Sequence, residues 1–134
     1  MMDTDELIKK IGKGGPPTDK KLLDLLKKAY KGEILCHTCI IKLDAIAPYS
    51  DFKPKISKKF LDYFCDKLEE GELSLYVYQV KNNFIMSDNY NSYYLYKAMN
   101  HESVKCIAIG NPTGDQVVAK SEPYVLQFEP IFEG

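Results

Sequence analysis

Arginine is missing from this chain: all 18 basic residues are lysine, and tryptophan is missing as well. A lysine ammonium is a point charge, whereas arginine supplies the planar fork that grips phosphate, carboxylate and guanine through paired hydrogen bonds. Any phosphate or DNA site in this protein must therefore work with backbone N–H groups, hydroxyls, amides and lysine. Long apolar runs are lacking too: stretches such as residues 73–80 are strand-sized and too short to span a bilayer. The N-terminus carries Asp3, Asp5 and Glu6 where a secretory leader would be basic and then apolar. These absences lead to the expectation of a cytoplasmic protein without membrane contact. A formal net charge of −1 and 45% hydrophobic residues argue against a strongly basic nucleic-acid binder and against a disordered chain.

Cysteine is sparse, and in a reducing compartment Cys36, Cys39, Cys65 and Cys106 are expected as free thiols. Cys36-His37-Thr38-Cys39 groups three soft-metal ligands, but a structural zinc wants four. The remaining candidates are Cys65, Cys106 and His101, two of them on expected core faces. On a strand, Cys36 and Cys39 point to opposite faces. The expectation is core packing, with no metal site and no redox pair.

What the sequence does contain is an orderly alternation of helix and strand signals over a length suited to one domain. Residues 1–32 read as an N-terminal helical extension, and 33–134 as an α/β domain with a C-terminal strand extension. In the extension, residues 3–13 form a short helix ending at Gly12 or Gly14. A second helix is capped by Thr18, with Asp19 in its first turn, carries Leu22, Leu23, Leu25, Leu26, Ala29 and Tyr30 on its apolar face, and ends at Gly32. It is expected to pack as an accessory, with Lys20, Lys21, Lys27, Lys28 and Lys31 on a solvated face.

In the domain, residues 34–46 read as one strand, with Ile41, Leu43 and Ala45 on one face and Ile40, Lys42 and Asp44 on the other. Ser57 caps a helix that buries Phe60, Leu61, Phe64, Cys65 and Leu68 and ends at Gly71. Residues 73–80 alternate as a strand, and a hairpin through Asn82-Asn83 leads into Phe84-Ile85-Met86. A helix starting near Asn91 or Ser92 places Tyr94, Leu95, Ala98 and Met99 on one stripe. Residues 104–109 return as a strand, and 116–128 are strand-like around Pro123. The fold class is α+β: a mixed sheet with flanking helices.

This order, with Leu43-Asp44-Ala45-Ile46-Ala47-Pro48, Gly71-Glu72-Leu73, Tyr76-Val77-Tyr78 and Phe84-Ile85-Met86-Ser87-Asp88, resembles the ParB/sulfiredoxin superfamily over residues 34–110. The resemblance implies a nucleotide phosphate held by a motif of acid or Ser, then Gly, then a His/Arg-Arg pair, then an aromatic and a small residue on the helix. Asp88 matches the leading residue, Tyr93 and Tyr94 the aromatic, and Ala98 the small one. Asn89 stands in place of Gly, Asn91 in place of His or Arg, and Ser92 in place of the phosphate-binding Arg. A sulfiredoxin-type cysteine is absent from the turn. The departures lead to the expectation of an accessory module, of the kind carried on a mobile element, that binds a nucleotide or nucleic acid without strong catalysis.

The residue chemistry of the turn agrees. Ser87, Asp88, Asn89, Asn91, Ser92 and Tyr93 lie between a strand and a helix, where unpaired N–H groups and the helix dipole attract anions. Asn91 and Ser92 are candidate side-chain donors, while Tyr90, Tyr93 or Tyr96 are candidates to stack on a base. The plainer alternative is that Asp88, Asn89, Asn91 and Ser92 only cap the helix and shape the turn. Two other functions stay open: a ParB-type nuclease or nucleotide hydrolase in which Asp88 holds a divalent metal, and a protein-interaction module using Tyr76, Tyr78, Tyr90 and Tyr96.

Overall fold

The computed structural model describes residues 16–71 and 73–127. The expected helix over residues 3–13 lies outside that range. The first described helix, α1 (Lys20–Tyr30), starts where Asp19 accepts from the N–H groups of Lys21 and Leu22 at 3.0 and 3.3 Å. Asp19, not Thr18, is thus the cap. Leu22, Leu25, Leu26 and Ala29, at i, i+3, i+4 and i+7, turn one apolar stripe inward, whereas Leu23 and Tyr30 of the expected face lie off that stripe and are exposed. Strand β1 (Cys36–Lys42) follows, then a 3-10 turn (Leu43–Ala45) and β2 (Ile46–Pro48). Next come α2 (Lys58–Glu70), β3 (Leu75–Val80), β4 (Asn83–Met86), α3 (Tyr90–Ala98), β5 (Ser103–Ile109) and β6 (Val117–Lys120). Among these helices none is long and apolar enough to cross a membrane.

The six strands form one mixed sheet in the order β2-β4-β3-β5-β1-β6, with β2/β4 and β3/β5 parallel and the other neighbours antiparallel. The α+β reading therefore holds. The expected single strand over 34–46 is broken in two, because β1 and β2 sit four places apart in the sheet. In a flat sheet four spacings amount to about 19 Å. The four steps from Lys42 to Ile46 reach at most about 14 Å. The sheet must curl, and Leu43 and Ala45 in the connecting turn are buried in the cluster it curls around.

That cluster joins Ile41, Leu75, Val77, Phe84 and Met86 of the sheet to Phe64 of α2 and Tyr93 of α3. A second cluster on the opposite face joins α1 to Cys36, Tyr78, Ile109 and Leu126. Helix α1 is therefore more than an accessory: it supplies one of the two apolar layers over the sheet. The Tyr78 hydroxyl donates to Asp19 Oδ2 at 2.7 Å, pinning the start of α1 to β3. Burial and that carboxylate together push the Tyr78 phenol well above its ordinary pKa.

Three local expectations are corrected. The hairpin turn is Lys81-Asn82, since Val80 pairs with Asn83, and Lys81 takes φ +58°. Register decides this: the observed pairing keeps Phe84 and Met86 on the core face, and a one-residue slip would turn both outward. Helix α2 turns Phe60, Phe64 and Leu68 inward, whereas Leu61 and Cys65 are exposed. Helix α3 starts at Tyr90 and buries Tyr90, Ser92, Tyr93, Leu95 and Tyr96, whereas Ala98 and Met99 of the expected stripe are exposed.

The cysteines fall where alternation places them. Cys36 faces the α1 layer, and Cys39 faces the other, directly across from Cys106. Burial pushes the Cys36 and Cys106 thiols up, and it lifts Cys39 to about 11 against the opposing pull of the Ala108 backbone and Lys120. His37 is buried with Nδ1 3.0 Å from the Gly110 carbonyl.

Candidate functional site at the start of α3

Three residues, Ser87, Asp88 and Asn89, carry the chain from the end of β4 into α3. The first N–H groups of any α-helix lack intrahelical acceptors and need another partner. In α1 that partner is Asp19, and in α2 it is the Ser57 hydroxyl, which accepts from Phe60 N–H at 3.1 Å. Helix α3 differs. Its N-cap, Asn89, has φ −128° and ψ 60° and makes no side-chain cap bond, and its first turn holds no acidic residue. The plainer reading, in which these Asn, Asp and Ser side chains serve as the cap, is not what the geometry displays.

The predicted residues divide into two groups. Asp88, Asn89 and Asn91 reach the surface. Ser87, Ser92 and Tyr93 are buried, Ser92 to 1% exposure, so their side chains are not positioned to meet a solvent-borne ligand. The Tyr93 hydroxyl instead donates to the Ile46 carbonyl at 3.2 Å. The Ser87 and Ser92 hydroxyl oxygens are buried without a hydrogen-bond partner, flanking the turn from below. Such orphaned groups cost about 1–3 kcal/mol each in a folded protein. The sequence reading placed both serines in the phosphate site and took Ser92, with Asn91, for a side-chain donor; burial removes both serine hydroxyls from that role.

The tyrosines are also corrected. Tyr78, Tyr90 and Tyr96 belong to the core, leaving Tyr76 as the half-buried member of the expected partner face. Each buried ring has found internal company. Tyr90 shares a 2.9 Å hydrogen bond with Ser50 and meets Phe52 edge-on, and Tyr96 packs edge-on against Phe64 and His101 at 5.1 Å. Tyrosine is tolerated in a core when its hydroxyl has a partner, so abundance alone did not signal a stacking platform.

One contributor was missed. Residues 49–57 fold against α3, and there Lys53 donates to the Tyr94 hydroxyl at 2.9 Å with its ammonium 4.5 Å from the ring centroid. That hydrogen bond, followed by smaller electrostatic effects, raises the Lys53 pKa. The bond ties an exposed cation to the first turns of α3. Lysine in a proline-containing loop, outside any helical charge run, was the available signal.

Asp88 is exposed as a residue, yet its carboxyl is crowded by protein atoms. That desolvation pushes its pKa up to about 6, against the pull of its own backbone N–H. Its charge in turn raises the Tyr76 phenol, after burial and the neighbouring Tyr30. The folded value exceeds the ordinary 3.8, so protonation favours the folded state. Asp88 therefore adds to stability as pH falls from about 6 towards 4, and that contribution is lost as pH rises through 6. Above 6 its charge opposes an anion at α3. A phosphodiester probe, whose charge is constant in this range, should bind about fivefold more tightly at pH 5 than at pH 7, on relief of roughly 1 kcal/mol of repulsion. In Asp88→Asn that pH dependence should flatten; a profile unchanged by the substitution would assign it to another group.

No family model, curated protein or solved structure matches this chain. Function must be argued from the site itself. Among the described residues no three His, Cys, Asp or Glu side chains gather as a metal set. A divalent ion at Asp88 would have to draw its other ligands from a bound phosphate and water.

Proposed function

We propose that this protein is a ParB-like accessory module that holds the phosphate of a nucleotide or nucleic acid at the start of α3 and performs no strong catalysis. The observation that carries the reading is the uncapped first turn of α3 opening directly from the end of β4. A helix N-terminus carries roughly half a positive charge and points its N–H groups at whatever occupies it. In a chain without arginine, this backbone cradle is the available substitute for a guanidinium fork. Lys53 adds one cation from the adjoining loop, and the surface amides of Asn89 and Asn91 add donors. Asp88 is the candidate to accept from a ribose hydroxyl, and as pH falls below 6 its electrostatic objection to phosphate fades.

Two features around the turn support a role without strong catalysis. Ser87 and Ser92 are buried, and among the described residues their hydroxyls have no hydrogen-bond partner and Asp88 has no titratable side chain in hydrogen-bond contact. Nucleophilic or general acid–base chemistry needs such pairs.

The test is calorimetry with a nucleoside, its mono- and triphosphate and a short single-stranded oligonucleotide, alongside a phosphate-release assay. The expected result is binding of the phosphate-bearing ligands, none of the nucleoside, and no turnover. With a single lysine engaged, the oligonucleotide should show a shallow salt dependence, with a slope of about −0.7 in log K against log salt. Silence from every phosphate ligand would end the proposal, and turnover that vanishes in Asp88→Ala would replace it with the metal-dependent hydrolase.

A further inference from the structure

We infer that a second site, a cleft of about 590 Å³ at the opposite end of α3, binds a small zwitterion of the amino-acid class. The cleft lies where α3 ends, β5 begins, and β1 turns towards β2, and its charged lining comes from Lys42, Asp44, Lys97 and Glu102. Two positive and two negative side chains face one space, yet none of the four is ion-paired among the described residues. Lys97 instead lies over the Tyr93 ring at 5.3 Å. Opposite charges left apart around a hollow are free to engage a ligand that carries both signs.

The balance of the lining selects the ligand class. A dianion would be drawn to the lysines but would meet two uncompensated carboxylates, and a dication would meet the reverse. An overall neutral molecule with a separated ammonium and carboxylate satisfies both pairs. The carbonyls of Leu95, Tyr96 and Lys97 already accept the N–H groups of Met99, His101 and Asn100, so what the C-terminal end of α3 adds for an ammonium is the negative end of its dipole. Asn100, at φ +58° just beyond the helix, lines the cleft and adds an amide that can both donate and accept. His101 forms the wall and is held edge-on to Tyr96. The volume accommodates a free amino acid with water around it, which suits recognition through the two charged termini.

The experiment is a titration of the isotope-labelled protein with the standard amino acids at millimolar concentration, read from amide resonances. At least one amino acid should shift Asn100, His101, Glu102 and Ser103 in a saturable way. Its N-acetyl and carboxamide derivatives, each lacking one charge, should bind about tenfold or more weaker, the loss expected when a charged partner is removed. Asp44→Asn and Lys42→Met, both at exposed positions, should each weaken binding while leaving the Asn89 to Ser92 resonances in place. If no amino acid shifts these resonances, or if the blocked derivatives bind as well as the free one, the inference is overturned. Neither outcome bears on phosphate binding at the other end of the helix.

Discussion

Asn91→Asp should make the protein more stable and a poorer phosphate binder at once. The substitution places a carboxylate of almost unchanged size in the first turn of α3, which has neither a side-chain cap nor an acidic residue. A negative group there interacts favourably with the helix dipole, for a gain of about 0.3–1 kcal/mol. The same charge occupies the field that a phosphate would use. Repulsion of a dianion at contact range in water amounts to roughly 2 kcal/mol, so affinity should fall about thirtyfold. Thermal melts and calorimetry on one preparation check both signs. Opposite movement identifies the helix start as the binding element, whereas stabilisation with unchanged affinity would place the anion elsewhere.

Asp19→Ala should be among the most damaging single changes outside the main cluster. It removes the cap of α1, worth about 1 kcal/mol. It also leaves the buried Tyr78 hydroxyl without its 2.7 Å partner, an orphaned group costing about 1–3 kcal/mol. A combined loss of roughly 2–4 kcal/mol in urea unfolding is expected, and Tyr78→Phe should cost less because the carboxylate keeps its two backbone donors. Equal and small effects from both would show that α1 is a loosely attached extension rather than one wall of the fold.

Much of the architecture was legible because it rests on local signals. Ser57 and Gly71 bound α2 as expected, Gly71 with φ +71° at the C-cap. The alternation of Ile41, Leu43 and Ala45 against Ile40, Lys42 and Asp44 survives in burial even though the chain changes from strand to turn and back. What local patterns do not carry is long-range pairing. The break between β1 and β2 follows from their distant places in the sheet, and the Lys81-Asn82 turn follows from which side chains must face the core.

The site was legible in outline and misread in its side chains. Its position between β4 and α3 came from the polar run, but hydroxyls at Ser87 and Ser92 look the same in sequence whether they face solvent or sit beneath a turn. Tyr78, Tyr90 and Tyr96 were ambiguous for a related reason, since a phenol serves equally as an exposed platform or as a core ring, held by a hydrogen bond in Tyr78 and Tyr90 and by edge-on ring contacts in Tyr96. Lys53 was missed because its only local signal was a lysine in a proline-containing loop, while its role depends on that loop folding back onto Tyr94, a contact 41 residues away.

The most direct measurement follows the backbone amides of Asn89, Tyr90, Asn91 and Ser92 by nuclear magnetic resonance as a nucleoside monophosphate is added. The account predicts saturable shifts concentrated on those four groups, with smaller ones at Lys53 and Asp88. Shifts confined to the lysine face of α1, or spread without focus over the surface, would contradict it.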